Sequence, residues 1–237
     1  MTPATSIEPV TLLVPVSGEP GALLPFLGEV ERHVPPPFAV HAVVDDAGAA
    51  ATLLAQVASR PWLRILRNDD LPGTAGAVRT GFRQIPNGPV VVTLADAGDD
   101  LSIVPQMLAH YRQGYRIVCP SRFAPGGRQI GGSWPKWLLL RGSGISLRLL
   151  VGFPTLDLNN NYRLYDAALV RELGIESNDG FELALELTAK AFRRGVRIAE
   201  VPATWRDRRD AGPPSGTRRW LGSYLRWYAY ALRSGRR

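Results

Sequence analysis

A chain of 237 residues with 45% hydrophobic content has the length for a full core, and its single cysteine, Cys119, excludes an internal disulfide framework and suggests a reducing compartment. The formal charge of +7 is carried almost wholly by arginine, since Lys136 and Lys190 are the only lysines; guanidinium forks suit phosphates and carboxylates, so nucleic acid, an anionic membrane surface and a phosphorylated substrate are all compatible partners. No run approaches the roughly 20 apolar residues of a bilayer-spanning helix, and the N-terminus lacks the features of a signal peptide, so the expected location is cytoplasmic, with peripheral attachment to the inner face of the membrane left open.

In chain order, TLLVPV (Thr11 to Val16) reads as a buried strand that meets a loop at Ser-Gly-Glu-Pro. Helical spacing follows from about Pro20 to His33. FAVHAVVDD (Phe38 to Asp46) is a second strand, ending in acid, with a helix expected near residues 49–59. LRILRN (Leu63 to Asn68) is a third strand, and GTAGAVRTGF (Gly73 to Phe82) opens a helix. VVVTLAD is the fourth strand, followed by a helix to about Gln113 and by YRIVC as the fifth. Strand and helix alternate over short links, which predicts an α/β domain with a mainly parallel sheet flanked by helices. Ligands of such sheets sit at the carboxyl ends of the strands. Three of these strands end there in polar or acidic residues: near Glu19, at Asp45 and at Asp96.

Beyond Cys119 the rhythm changes. PSRFAPGGRQIGGSWPK reads as loop, Trp137 to Gly152 as a helix despite its glycines, and NYRLYD (Asn161 to Asp166) as a strand. Gly180 to Gly195 has the pattern of an amphipathic helix, Val196 to Trp205 of a strand, and TRRWLGSYLRWYAYALRSGRR of a closing basic, aromatic, amphipathic helix. No linker divides the chain, so a single domain over 1–237 is expected, with a nucleotide-binding half at about 10–120 and an acceptor half with the C-terminal helix at about 121–237.

Several residue groups carry chemistry. Carboxylates at a strand end, Asp96 with Asp99 three residues on, can hold Mg²⁺ or Mn²⁺ through oxygen; the alternative is that Asp99 or Asp100 caps the helix starting near Ser102. Arg122 and Arg128 lie in a Gly-rich loop, and Arg208 and Arg218 flank RRDAGPPSGTRR, as a phosphate site needs. Glu186 is explained by an i,i+4 pair with Lys190, and Asn159, Asn160 and Asn161 suit either a sugar or an Asx-type turn. The three histidines are scattered, which speaks against a zinc site. The aromatic stripe of the C-terminal helix, Trp220, Tyr224 and Tyr228, suits either a membrane interface or packing on the domain or on a second subunit, so a homodimer stays open.

The chain resembles a family 2 glycosyltransferase of the GT-A fold, near the dolichyl- and polyprenyl-phosphate sugar transferases, over roughly residues 10–232. The resemblance rests on VPVSGE (Val14 to Glu19), VVDD (Val43 to Asp46), RNDDLPGTAGAVRTGF, VVVTLADAGDDLSIVPQML, PSRFAPGGRQIGG, PTLDLNNNYRLYD, GFELALEL and IAEVPATWRDR in that order. It implies a metal-dependent, inverting transfer of a sugar from a UDP- or GDP-sugar to a polyprenyl phosphate. A soluble hydroxyl acceptor and a degenerate, non-catalytic sugar-nucleotide-binding protein are the alternatives, and a nucleic-acid partner is not expected. It further implies Pro15, Glu19, Asp45 and Gly73 around the nucleotide, Asp96 and Asp99 at the metal, and Arg122 at the reaction centre or a phosphate. Asp157 and Glu182 are the catalytic carboxylates it suggests, Asn160 and Arg163 lie on the acceptor side, and Arg208 and Ser215 close a loop over the donor. The chain departs from the family at Leu94, where the first acid of the metal motif is expected, at Gly18, at Ala47 to Ala51, and at Pro213 and Pro214.

Overall fold

Valine-rich runs with no polar alternation need cover on both faces, and the strands obtain it. The structure is a computed structural model that describes residues 9–16, 22–46, 48, 60–95, 98–132, 134–206 and 217–233, the side chains of 136 and 217–220 excepted. Strands β1 (Val10–Val16), β2 (Phe38–Val44), β3 (Leu63–Arg67), β4 (Pro89–Val92), β5 (Ile117–Ser121), β7 (Arg163–Asp166) and β8 (Ile198–Pro202) form one sheet in the order β3-β2-β1-β4-β7-β5-β8. Only β7 runs antiparallel to its neighbours. The expected mainly parallel α/β sheet is therefore present.

Side chains alternate across this sheet. Leu12, Val14 and Val91 face a core closed by α1 (Leu23–His33) and α3 (Val104–Arg112). Leu13, Val90 and Val92 face the opposite core, closed by α2 (Thr74–Gln84), α5 (Ala167–Leu173) and α6 (Leu183–Arg193). A third cluster joins α4 (Trp134–Val151) and α7 (Thr217–Leu232) to α6 through Leu147, Leu185, Tyr224 and Trp227.

Two segments differ from their sequence reading. The stretch read as loop holds β6 (Arg128–Ile130), and the strand read as continuous to Trp205 divides into β8 and β9 (Thr204–Arg206). Pro202 brings no N–H to extend the ladder. At Ala203 the chain donates to the Ser121 carbonyl and accepts from Arg128, and so passes from the large sheet to a parallel pairing of β6 with β9. The helix expected at 49–59 lies outside the described residues.

Helix α4 carries Gly142 and Gly144 in its middle. At Gly144 the reason is contact: an added Cβ would stand 1.9 Å from the Leu156 carbonyl oxygen. Helix α7 buries Tyr224, Trp227 and Ala231, but its open side is not purely polar, since Leu221 and Leu225 are exposed.

Candidate active site

Strand order reverses between β1 and β4, and the loops at the carboxyl ends of the strands meet there, as open α/β sheets dictate. On one side, β2 delivers Asp45. Its two oxygens accept from Asn68 Nδ2 (2.6 Å) and from the Gly73 backbone N–H (2.9 Å). Gly73 has φ 102°, which glycine adopts without strain, and from there it opens α2. Asp45 is exposed, whereas Pro15 is buried within β1 in register with Val43. Glu19, Asp96, Arg208 and Ser215 lie outside the described residues.

Past β4 the two later acids take different tasks. Asp100 is the helix cap, accepting from the Ser102 N–H at 3.0 Å. Asp99 instead lines a cleft, accepts from Thr93 Oγ1 at 2.9 Å and forms a backbone bridge with Trp205. Tyr162 on the same wall donates to the Asp100 carbonyl. Burial, then the charges of Asp99 and Asp100, push its phenol well above the usual range.

More of the lining comes from the end of β5 and the approach to β7. Arg122 donates from Nε (2.7 Å) and Nη2 (2.8 Å) to the two oxygens of Asp157, and its backbone N–H reaches Oδ2 at 3.1 Å. The guanidinium lies 5.3 Å from the Trp205 ring and 5.2 Å from the Phe123 ring. Burial by itself would lower the Arg122 pKa, but the adjacent Asp157 carboxylate outweighs it and the net direction is up. The cation is thus permanent, oriented on two sides and open to the cleft.

Asp157 is itself held from behind. Its backbone N–H meets Thr155 Oγ1, and the Thr155 hydroxyl donates to Glu200, which also accepts from the Leu156 N–H (2.6 Å) and from Arg148 (2.7 Å). Arg163, expected on the acceptor side, is fully buried instead. It donates to the carbonyls of Asp157 and Ala184 and to the Thr188 hydroxyl, so it braces the Asp157 loop from beneath rather than meeting a ligand. The backbone supplies two of its three acceptors, while Nε is buried without a hydrogen-bond partner.

The three asparagines separate by role. Asn160 makes the Asx turn, accepting from the Tyr162 N–H while donating to the Pro120 carbonyl. Asn161 donates to the Gly180 carbonyl. Both polar atoms of the Asn159 amide are buried without a hydrogen-bond partner, as is Oδ1 of Asn161. Both residues line the cleft, which encloses about 140 Å³. Unpaired buried amides beside a polar cleft are the groups that a hydroxylated ligand or water satisfies. Glu182 precedes α6, is 1% exposed and has Oε2 unpaired.

Trp205 is the cleft residue that the sequence reading passed over. Trp205 sits among alternating strand residues, and no pattern distinguishes it from a core aromatic. Among the described residues no group of three or more His, Cys, Asp or Glu side chains could hold a metal; Asp99 contributes one hard oxygen at the cleft.

This architecture recurs in solved enzymes. Glucosyl-3-phosphoglycerate synthase from Mycobacterium tuberculosis, in complex with Mn²⁺, UDP and glucosyl-3-phosphoglycerate, superposes with a TM-score of 0.68 over 96% of this chain and 80% of that one, at 16% identity. A mannosyltransferase from Pyrobaculum calidifontis in complex with GDP-Man and Mn²⁺ gives 0.63 over 94% of this chain and 64% of that one, at 19% identity. The fold is GT-A. In sequence, this GT-A chain is 29% identical over 211 residues to the undecaprenyl-phosphate mannosyltransferase of Micrococcus luteus, covering 84% of each. It is 26% identical over 210 residues to the polyprenol monophosphomannose synthase of Mycolicibacterium smegmatis, covering 83% of this chain and 77% of the relative. Its relatives are polyprenyl-phosphate mannosyltransferases, as the resemblance in its motifs implies. No protein-family profile matches the chain. Among the described residues no helix is long and apolar enough to cross a membrane.

Proposed function

We propose that the chain is an inverting glycosyltransferase that moves a sugar, with mannose the first to try, from a UDP- or GDP-sugar to a polyprenyl phosphate. The observation that carries this reading is Arg122: a cation clamped by Asp157, backed by two rings and presented to a cleft with unpaired asparagine amides. An acceptor phosphate is already an anionic nucleophile and needs an oriented cation more than a base. Both oxygens of Asp157 are engaged by Arg122, which suits a clamp better than a proton acceptor.

In this reading Asp45 and the Gly73 turn receive the nucleoside, with Pro15 and Glu19 nearby. Asn159 and Asn161 meet sugar hydroxyls against the Trp205 face. Glu182, buried with a free oxygen, lies under the donor sugar, and Arg208 and Ser215 belong to the segment that closes over it. Asp96 and Asp99 are the residues that would hold Mg²⁺ or Mn²⁺, which supplies charge neutralisation at the departing diphosphate. The acceptor oxygen attacks the anomeric carbon from the face opposite that diphosphate, so the configuration inverts.

A soluble acceptor is the second reading. It is favoured by the structural likeness to glucosyl-3-phosphoglycerate synthase, solved with phosphoglyceric acid.

The test is transfer of radiolabelled sugar from GDP-mannose, UDP-glucose and related donors to a short-chain polyprenyl phosphate with Mn²⁺. Acid-labile label in the organic phase, with the linkage anomer opposite to the donor's, supports the reading. Label in a water-soluble product with phosphoglyceric acid supports the second. Neither product, with no donor bound, rejects transfer.

A further inference from the structure

Helix α2 turns one face to the loop that presents Gly73. Gly76, Arg79, Thr80 and Arg83 share that face at i, i+3, i+4 and i+7. Gly76 admits the loop: an added Cβ would stand 1.8 Å from the Leu71 carbonyl oxygen. The Thr80 hydroxyl meets Asn68 Oδ1 at 2.8 Å, and Asn68 in turn holds Asp45. Arg83 donates to Asp69 and, at 2.9 Å, to Asp70, so it stays on this loop.

Arg79 reaches further. Its Nε (3.1 Å) and Nη2 (2.6 Å) meet Asp70 Oδ1, and its Nη1 donates at 2.5 Å to the carbonyl of Ser177, 98 residues along the chain. The side chains of Arg79 and Asp70 are 15% and 19% exposed, against 46% for Arg83, so water screens this pair less. Hydrogen bonding from Arg79 first, then from the Leu71 N–H and Arg83, holds the Asp70 carboxyl well below the usual carboxylate range against the effect of burial. A planar guanidinium serves acceptors on two segments in fixed directions, which a flexible ammonium does not.

The segment that Arg79 reaches leads into the other side of the site. The Glu186 carboxylate accepts from the N–H groups of Glu176 and Ser177, each at 2.7 Å, and pairs with Lys190, so the segment is anchored on α6. Gly180 has φ 83°, and an added Cβ would stand 2.9 Å from Thr74 Cβ at the start of α2. Its carbonyl accepts from Asn161 Nδ2 at the cleft, and Glu182 follows with its unpaired Oε2. We propose that Arg79 is a positioning residue: its fork clasps the 68–73 loop to the 176–182 segment and fixes the spacing between the Asp45–Gly73 turn and the Asn161–Glu182 side of the site. That these two sides receive nucleoside and sugar rests on the transferase reading; the clasp does not.

The ligand-free chain is tested first, by amide hydrogen exchange. Arg79→Met keeps the apolar stem and removes every donor. It raises exchange at Glu176 and Ser177 by about tenfold or more, the change that loss of one charge-assisted hydrogen bond to the segment allows. Arg83→Met leaves Arg79 in place and raises exchange at 69–71 only. Arg79→Lys keeps a charge beside Asp70 without the fork, so 69–71 stays protected and the Ser177 side does not. Turnover is the second readout, with GDP-mannose, a short-chain polyprenyl phosphate and Mn²⁺. Both Arg79 variants lower kcat by about 10–100-fold, as a spacing error of about 1 Å does, while Kd for GDP and for UDP stays as in wild type. The proposal is overturned by wild-type exchange at Glu176 and Ser177 in Arg79→Met, by an equal rise there in Arg83→Met, or by a kcat that survives the loss of Arg79. If wild type binds neither GDP nor UDP and transfers no sugar, the transferase reading fails, and the exchange data still decide the clasp.

Discussion

Asp157 gives all of its carboxylate to one partner. With side-chain exposures of 1% for Asp157 and 10% for Arg122, the pair is inside the protein, and removing one member leaves the other charge stranded. Asp157→Asn therefore lowers stability by about 3 kcal/mol, read by urea unfolding. It also releases the guanidinium from its fixed plane, and a misplacement of about 1 Å lowers turnover by about 100-fold. Arg122→Lys separates the two effects: the charge stays, the fork is lost, and turnover falls while the fold is less disturbed. Cys119 makes the opposite case, a buried group with no task in the cleft. Burial pushes its thiol from 9.0 to about 11. The folded state therefore favours the protonated thiol, and this contribution is complete below pH 9 and lost as the pH rises toward 11. The expected size is about 2–3 kcal/mol between pH 8 and 11. It is measured as the difference between wild type and Cys119→Ala, because Tyr224, raised from 10.0 to about 12 by burial, adds its own loss of stability above pH 10 equally in both. Equal pH profiles for the two proteins would mean that the thiol is accessible in the native state.

At the scale of elements, α4 and the loop from Phe153 to Asp157 behave as one part. Glu200 on β8 accepts from Arg148 of α4, from Thr155 and from the Leu156 N–H, and Gly144 lets the helix approach Leu156. Gly144→Val places a side chain where backbone already stands, 1.9 Å away, and no rotamer relieves the Cβ. The cost is about 1–3 kcal/mol of overpacking. Because the displaced residue precedes Asp157, turnover falls with it, whereas Gly142→Ala, with nothing within 4 Å, leaves turnover unchanged and raises stability by about 0.5–1 kcal/mol. Thermal melts and a transfer assay on the two variants check the contrast.

At the scale of the whole molecule, the parts legible in the sequence are those governed by local rules. Val90, Val91 and Val92 announce a strand covered on both faces, and the sheet covers both. The i,i+4 spacing of Glu186 and Lys190 foretells an ion pair, present at 2.6 Å. Asx-turn chemistry fits Asn160, and helix capping by an acid holds, with Asp100 rather than Asp99 as the cap. What stays hidden depends on direction and on distant partners. A motif names Arg163 but does not say that its guanidinium turns inward under Asp157. The three residues of β6 have no period of their own and acquire strand geometry only from β9. Periodicity cannot say which side of α4 is covered, because its leucines occur all round.

The same global view yields a test of the donor site. If Asp99 and Asp96 share an ion with the donor diphosphate, then binding stabilises only the folded chain, by about 2.7 kcal/mol at a hundredfold excess over Kd. For a domain of this length that corresponds to about 5–10 °C in the thermal midpoint. The rise appears with Mn²⁺ and one class of nucleotide sugar, and it is removed by chelator. Asp96→Asn abolishes it, and Asp99→Asn reduces it. Donor binding that persists undiminished in both variants would place the ion on other residues. No rise with any donor would leave the GT-A fold in place without its chemistry, because the fold fixes where a ligand sits and only the side chains decide whether one is held.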